Sequence, residues 1–159
     1  MSRCTSAVAA RASIDWSVLV VIGASLGLGN ALEVSGAAGA IAASGLQLVG
    51  ENPWLVLLII YGLTTLMTEV VTNNAAAVLM FPIAQSAAST LDVSLWPFIV
   101  CLMMAASASF ATPIGYQTNL MVYGPGGYRF TDYLRIGVPL NIILGLVTVA
   151  LAPLIWPFN

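Results

Sequence analysis

Long apolar stretches separated by short polar interruptions dominate the sequence. Residues 16–32 and 136–156 are apolar over about the length that crosses the hydrocarbon core of a bilayer as a helix. Residues 54–71 are similarly apolar and end in a polar tip. Residues 34–49 are rich in Ala and Gly and only moderately hydrophobic, which predicts either a weak span or a helix lying along the interface. The pattern therefore predicts an all-α membrane protein.

Two further apolar stretches are too short to cross a membrane alone. Residues 75–88 follow residues 54–71 directly and reach about 21 Å as a helix. With no charged loop between them, residues 54–88 predict a re-entrant helical hairpin, and one long span followed by a short helix is the alternative. Residues 97–123 predict a discontinuous helix, because residues 109–119 interrupt it.

Composition agrees with lipid as the main solvent. Hydrophobic residues make up 60% of the chain and charged residues 6%, whereas soluble domains carry about 25% charged residues. The net charge of −2 gives no basic patch for nucleic acid. The chain has no His, and Cys4 and Cys101 are far apart, so no zinc pattern arises. Without paired carboxylates or a Ser–base arrangement either, the sequence predicts that the protein is not an enzyme.

The arginines predict an orientation. The basic residues are Arg3, Arg11, Arg129 and Arg135, and all are expected on the cytoplasmic side of a plasma (inner) membrane. The N-terminus is then cytoplasmic and the C-terminus outside, provided that residues 34–49 do not cross.

The two polar interruptions predict binding chemistry. Non-helical backbone at membrane depth is tolerated only inside protein or beside a watery cavity. Helices starting near Ala75 and Leu120 would present free N–H groups and a positive dipole end to an anion. Helices ending near Val71 and residues 109–111 would leave carbonyls for a small cation. The alternative is that these polar residues only make interhelical hydrogen bonds, with Pro113 as a plain kink.

Glu69 is the one carboxylate placed within an apolar segment near a polar tip. An intramembrane ionisable residue is by default a functional hypothesis. Glu69 therefore has two possible roles. In the functional one it carries a coupling proton or attracts a cation; in the structural one it is only hydrogen-bonded at the neck of the hairpin.

The two loops carry a family resemblance. Residues 68–77 followed by residues 79–84 resemble the second signature hairpin of the divalent anion–sodium symporter family, the SLC13-type and citrate transporter-like permeases. Residues 111–119 resemble the second unwound loop of that family, and residues 116–128 are most similar to its branch with regulatory potassium-uptake-type domains. The resemblance covers nearly the whole chain from Asp15 onward.

The resemblance implies site residues. Asn73 matches the Asn of a Ser-Asn-Thr signature that contacts substrate and a coupling sodium ion, with Thr72 in the Ser position and Asn74 in the Thr position, where an amide replaces the hydroxyl. Together with the physical argument, it gives as substrate-binding candidates Thr72, Asn73, Asn74, Thr112, Pro113, Gly115, Thr118 and Asn119. The ion-coupling candidates are Asn73, Ala111, Gly115 and Glu69, with Na⁺ near Asn73 and Ala111. No other cofactor is expected.

The resemblance also implies an architecture. Family members contain two inverted repeats, and this chain resembles the second without the first. Residues 15–159 are therefore expected to be the C-terminal half of an inverted-repeat transporter, after a flank at 1–14, with the hairpin at 54–88, the broken helix at 97–123 and a last span at 136–156. The chain is expected to be a fragment whose N-terminal repeat is missing and whose full-length form is a homodimer.

The predicted function is secondary active transport of a small anion, such as sulfate or a di- or tricarboxylate, coupled to Na⁺ or H⁺. A channel-like permease and an accessory membrane subunit that only packs against a partner are the alternatives. Transport that stops when the cation gradient collapses favours the carrier over the channel.

Overall fold

The computed structural model describes residues 11, 20, 23–24, 27–28, 30–32 and 34–159. All regular structure in these residues is helical, as the apolar pattern predicted. The predicted flank at 1–14 and the predicted first span at 16–32 fall mostly outside the described residues. The helices are α1 (Ala37–Val49), α2 (Pro53–Thr68), α3 (Asn73–Thr90), α4 (Trp96–Ser107), α5 (Gln117–Tyr123) and α6 (Phe130–Ile155).

Capping residues explain where α2 and α3 begin. The side chain of Asn52 accepts a hydrogen bond from the N–H of Trp54 at 3.0 Å, and Pro53 occupies the first turn, where its missing N–H costs nothing. The hydroxyl of Thr72 accepts from the N–H of Ala75 at 3.3 Å. This cap makes Asn73 the first residue of α3, two residues before the start expected from hydrophobicity.

Helix α6 is longer than the other helices of the protein that the structure describes. At 1.5 Å per residue α2, α3 and α4 reach about 24, 27 and 18 Å, less than the thickness of about 30 Å of a hydrocarbon core. Within the described part of the chain, α6 alone is long and apolar enough to cross a membrane. The short helices α2 and α4 are apolar and end inside the protein.

The last helix starts six residues before the predicted span. Residues 128–135 look like a polar flank in sequence, yet α6 begins at Phe130. The carboxylate of Asp132 accepts the N–H of Arg129 at 2.8 Å, which satisfies one of the free donors at a helix start. The helix therefore includes residues whose polarity alone suggests a loop.

The core lies between α2, α3 and α4, with α1 packed on α3 and α6 packed on α2 and α4. Leu57, Phe98 and Cys101 are fully buried in it. Alanines such as Ala84 and Ala105 are fully buried as well. Small side chains of this kind let helix backbones approach closely, which is how helices associate in lipid.

Two glycines allow α6 to pack closely against the rest of the protein. A Cβ added at Gly137 would overlap the backbone of Phe110 and would lie 2.6 Å from the Cα of Ala111. A Cβ added at Gly145 would lie 2.9 Å from the ring of Tyr61. Helix α6 thus contacts the loop after α4 backbone to backbone, and that contact places its residues beside this loop.

We predict that Gly137→Ala destabilises the full-length protein by about 1–3 kcal/mol, because the overlapping atoms are backbone and have no room to move. Gly62→Ala is the matched control, since a Cβ there meets nothing within 4 Å and alanine favours a helix. Thermal unfolding in detergent, followed by circular dichroism, checks both. Equal melting temperatures for Gly137→Ala and wild type would contradict this packing.

Candidate functional site

The C-terminal ends of α2 and α4 meet inside the protein, and side chains at each end donate hydrogen bonds to backbone carbonyls of the other. The hydroxyl of Thr68 donates to the carbonyl of Ala106 at 2.8 Å, and the hydroxyl of Ser109 donates to the carbonyl of Thr68 at 3.2 Å. Thr68 is fully buried and Ser109 nearly so. The last carbonyls of a helix have no partner within the helix, so these reciprocal bonds let both helices stop away from water.

Glu69 joins three segments through one carboxylate oxygen. Its Oε1 accepts the backbone N–H of Ala111 at 2.9 Å and the side-chain amide of Asn141 at 3.0 Å. Ala111 lies in the loop after α4, and Asn141 lies on α6. Glu69 itself is 8% exposed. Through these hydrogen bonds the carboxylate links the end of α2 to the loop after α4 and to α6.

Residues 108–116 form the non-helical segment between α4 and α5. The hydroxyl of Thr112 donates to the carbonyl of Glu69 at 3.2 Å and accepts the N–H of Gly115 at 3.0 Å. The side-chain amide of Asn119 donates to the carbonyls of Ser109 and Thr112, each at 3.0 Å. These bonds hold the segment in a defined shape without a helix.

Gly115 lies where this segment is tightest. A Cβ added there would overlap the hydroxyl oxygen of Ser109 and would lie 3.0 Å from Oε2 of Glu69 and 3.1 Å from Oγ1 of Thr112. Three oxygen atoms thus approach one face of its Cα. A glycine is needed because any side chain would displace them.

The tip between α2 and α3 presents its polar residues differently. Thr72 and Asn74 are exposed, and Asn73 is half-buried. The hydrogen bonds of their side chains are local, since Oδ1 of Asn73 accepts the N–H of Asn74 at 2.9 Å and Thr72 caps α3. The tip therefore offers hydroxyl and amide groups beside the positive N-terminal end of α3.

The structure brings part of the predicted set together. Glu69, Ala111, Thr112, Gly115 and Asn119 share one hydrogen-bond network. The remaining candidates lie outside it: Thr72, Asn73 and Asn74 are at the tip, Thr118 is exposed on α5 and Pro113 is buried.

One sequence expectation needs correcting at the helix ends. Carbonyls near Val71 and at residues 109–111 were expected to be free for a cation. Among residues 109–111, the carbonyl of Ser109 instead accepts the side-chain amide of Asn119. The apolar surroundings explain this, because a helix end without water must find its partners within the protein.

Sequence reasoning did not single out Thr68, Ser109 or Asn141. Thr68 and Ser109 lie within the stretches 68–77 and 109–119 described above, and their hydroxyls suit the capping of buried carbonyls. Asn141 had a clearer signal, because it is the one amide side chain within the apolar residues 136–156. An isolated amide in a membrane helix usually has a specific partner; here the partner is Glu69.

A cavity of about 330 Å³ lies between α2 and α6. Its wall is almost entirely apolar and includes Leu58, Ile142 and Leu146, and parts of Thr65, Glu69 and Asn141 also border it. The described residues contain no cluster of three or more His, Cys, Asp or Glu side chains.

Comparison with known proteins identifies the family. The citrate transporter family matches residues 1–100. An uncharacterised transporter of Synechocystis is 47% identical over 148 residues, which cover 91% of this chain and 24% of that protein. Sodium/sulfate cotransporter 2 of Chlamydomonas reinhardtii is 39% identical over 150 residues, covering 92% of this chain and 17% of that protein. Solute carrier family 13 member 1 of the mouse is 29% identical over 144 residues, covering 90% and 24%.

These curated relatives are transporters by name, and the chain spans about a quarter of their length or less. The family match runs through residues 68–84, which first indicated the resemblance. The chain belongs to the citrate transporter family, within the divalent anion–sodium symporters that its loop motifs predicted.

Proposed function

We propose that this chain forms part of a secondary active transporter that moves a small divalent or trivalent anion, such as sulfate or a di- or tricarboxylate, in symport with Na⁺. The observation that carries the proposal is the pair of interrupted helices joined through Glu69 and Thr112, found in a chain of this family. The names of the sodium/sulfate cotransporters support sulfate and sodium for this chain.

The anion site is proposed at the tip of the hairpin. Thr72, Asn73 and Asn74 lie at the start of α3, where helix N–H groups and the positive dipole end favour an anion. Across the site, the proposed contacts come from the loop and α5, namely Thr112, Pro113, Gly115, Thr118 and Asn119. The structure holds Asn119 in the loop network, so its part is to shape the segment that faces the anion.

The coupling ion is proposed beside the same loops. Asn73, Ala111, Gly115 and Glu69 are the proposed ion-coupling residues, with Na⁺ near Asn73 and Ala111. The carboxylate of Glu69 supplies negative charge close to Gly115. A sodium ion near it would lower the repulsion that an arriving anion experiences, which is a direct electrostatic basis for symport.

The family also supports a larger architecture for the full-length protein. Residues 54–88 would enter and leave the membrane from one face as a re-entrant hairpin. Residues 15–159 would be the second of two inverted repeats, completed by an N-terminal repeat, in a homodimer. The N-terminus would be cytoplasmic and the C-terminus outside, in a plasma (inner) membrane.

Uptake by the full-length protein in proteoliposomes tests the function. We expect labelled sulfate or citrate uptake that saturates, requires an inward sodium gradient and stops when a sodium ionophore collapses that gradient. Uptake that persists as a conductance without the gradient would indicate a channel. Absence of uptake with either anion would favour an accessory subunit.

Asn73→Ala is predicted to lower anion uptake at least tenfold. Hydrogen bonds to charged groups contribute about 1.5–3 kcal/mol each, and one amide here is proposed to serve both anion and cation. Asn52→Ala is the matched control. It removes an asparagine that caps α2 at the other end of the hairpin, so it should lower the melting temperature slightly and leave uptake intact. Equal uptake by Asn73→Ala and wild type would exclude this site.

Gly115→Ala is predicted to abolish most uptake, because its Cβ would displace oxygens of Ser109, Glu69 and Thr112. Gly124→Ala is the control, since a Cβ there meets nothing within 4 Å. Uptake rates are compared at equal amounts of inserted protein. Full activity of Gly115→Ala would show that the segment is not part of the transport machinery.

A further inference from the structure

Helix α5 is short and lies at the surface of the described protein. It has seven residues, none of which is buried, and its N-cap residue Tyr116 makes no side-chain capping hydrogen bond. Isolated helices shorter than about 12–15 residues are marginal, so a helix of this length depends on contacts with the rest of the protein. The position of α5 is therefore set by the residues that connect it to its neighbours.

Asn119 connects α5 to the non-helical segment before it and to α6. Its side-chain amide donates to the carbonyls of Ser109 and Thr112, each at 3.0 Å. Its backbone carbonyl accepts the hydroxyl of Tyr133, on α6, at 3.0 Å. The side chain of Asn119 thus holds the interrupted segment, and Tyr133 joins that same residue to the last helix.

Two other tyrosines pack against the ring of Tyr133. Its centroid lies 6.0 Å from that of Tyr123, the last residue of α5, and 6.1 Å from that of Tyr128, between α5 and α6. The interplanar angles of 54° and 76° are close to the edge-to-face arrangement that aromatic pairs prefer. Within this cluster the hydroxyl of Tyr133 is the one that donates to a described residue. The two neighbouring rings therefore orient that hydroxyl toward Asn119.

Tyr133 shares one face of α6 with Gly137, because residues four apart on a helix lie one above the other. Gly137 is the position at which α6 contacts the backbone of Phe110, near the start of the interrupted segment. Tyr133 contacts Asn119, just beyond its end. This face of α6 therefore holds the segment near both ends, although α6 supplies none of the proposed anion contacts.

We propose that Tyr133 is a positioning residue for the anion site. Its hydroxyl holds Asn119 against α6 and thereby keeps residues 108–119 and α5 in the shape that binds the anion. The inference rests on the proposed function, which makes Thr112 and Thr118 anion contacts. Tyr133 does not touch the anion itself. Loss of its hydroxyl lowers the fraction of the protein in the binding shape, and the apparent affinity falls by the same factor.

Tyr133→Phe and Tyr128→Phe form a matched pair, since each removes one hydroxyl of the same cluster and keeps the ring. Amide hydrogen exchange of residues 117–123 is measured for the full-length protein in detergent. We expect exchange to become about fivefold faster in Tyr133→Phe, as the loss of one hydrogen bond implies, and to stay at the wild-type rate in Tyr128→Phe. Equal exchange in Tyr133→Phe and wild type would overturn the proposal.

The same pair is compared by anion uptake in proteoliposomes, with whichever of sulfate and citrate the wild type transports. At a fixed sodium gradient, Tyr133→Phe is expected to raise KM about fivefold, as the exchange result implies, and to change kcat little, because saturating anion restores the binding shape. Tyr128→Phe should keep both values. A merely structural role would lower the amount of inserted protein and leave KM unchanged, so an unchanged KM would overturn the positioning role.

The two measurements also separate this inference from the proposed function. Absence of uptake by the wild type would contradict the proposed function, whereas the exchange measurement needs no transport. In that case faster exchange in Tyr133→Phe alone would still support the hold of Tyr133 on α5, and equal exchange would reject it.

Discussion

The constraint on which this structure depends is that a helix ending inside apolar protein must satisfy its own terminal backbone groups. Helices α2 and α4 both end there, and each supplies donors for the other: Thr68 bonds the carbonyl of Ala106, and Ser109 bonds the carbonyl of Thr68. Each bond satisfies a terminal carbonyl without water. Each interrupted helix therefore depends on the other for part of its terminal hydrogen bonding.

Glu69 extends this pairing to a third element. Its Oε1 holds the amides of Ala111 and Asn141, while its backbone carbonyl accepts the hydroxyl of Thr112. The end of the hairpin, the loop after α4 and the last helix are thus joined at one residue. In the proposed transporter this arrangement would let the anion-binding tip and the loop move together as one body. The second carboxylate oxygen, Oε2, lies beside Gly115 in this loop.

Close packing by α6 makes that junction geometrically possible. Gly137 lets the helix contact the backbone at Phe110, and Gly145 lets it approach the ring of Tyr61. Asn141 lies between these two glycines, so the close packing of α6 brings its side-chain amide within hydrogen-bond distance of Glu69. The same helix leaves a cavity beside α2 that is lined mainly by apolar side chains. The same two glycines therefore set both the packing of α6 and the position of Asn141.

The long apolar stretches and their two polar interruptions determined, from sequence, the helical class and the neighbourhood of the breaks, and the motifs at residues 68–84 and 111–119 carried the family resemblance. All of these depend on local composition and motif. Helix starts were set by caps such as Thr72 and Asp132, which shift boundaries by a few residues. Only the tertiary structure decided that Glu69 meets Asn141, 72 positions away, and that Thr68 and Ser109 close each other's helices. Contacts between distant positions depend on how helices pack, and no local pattern encodes that packing.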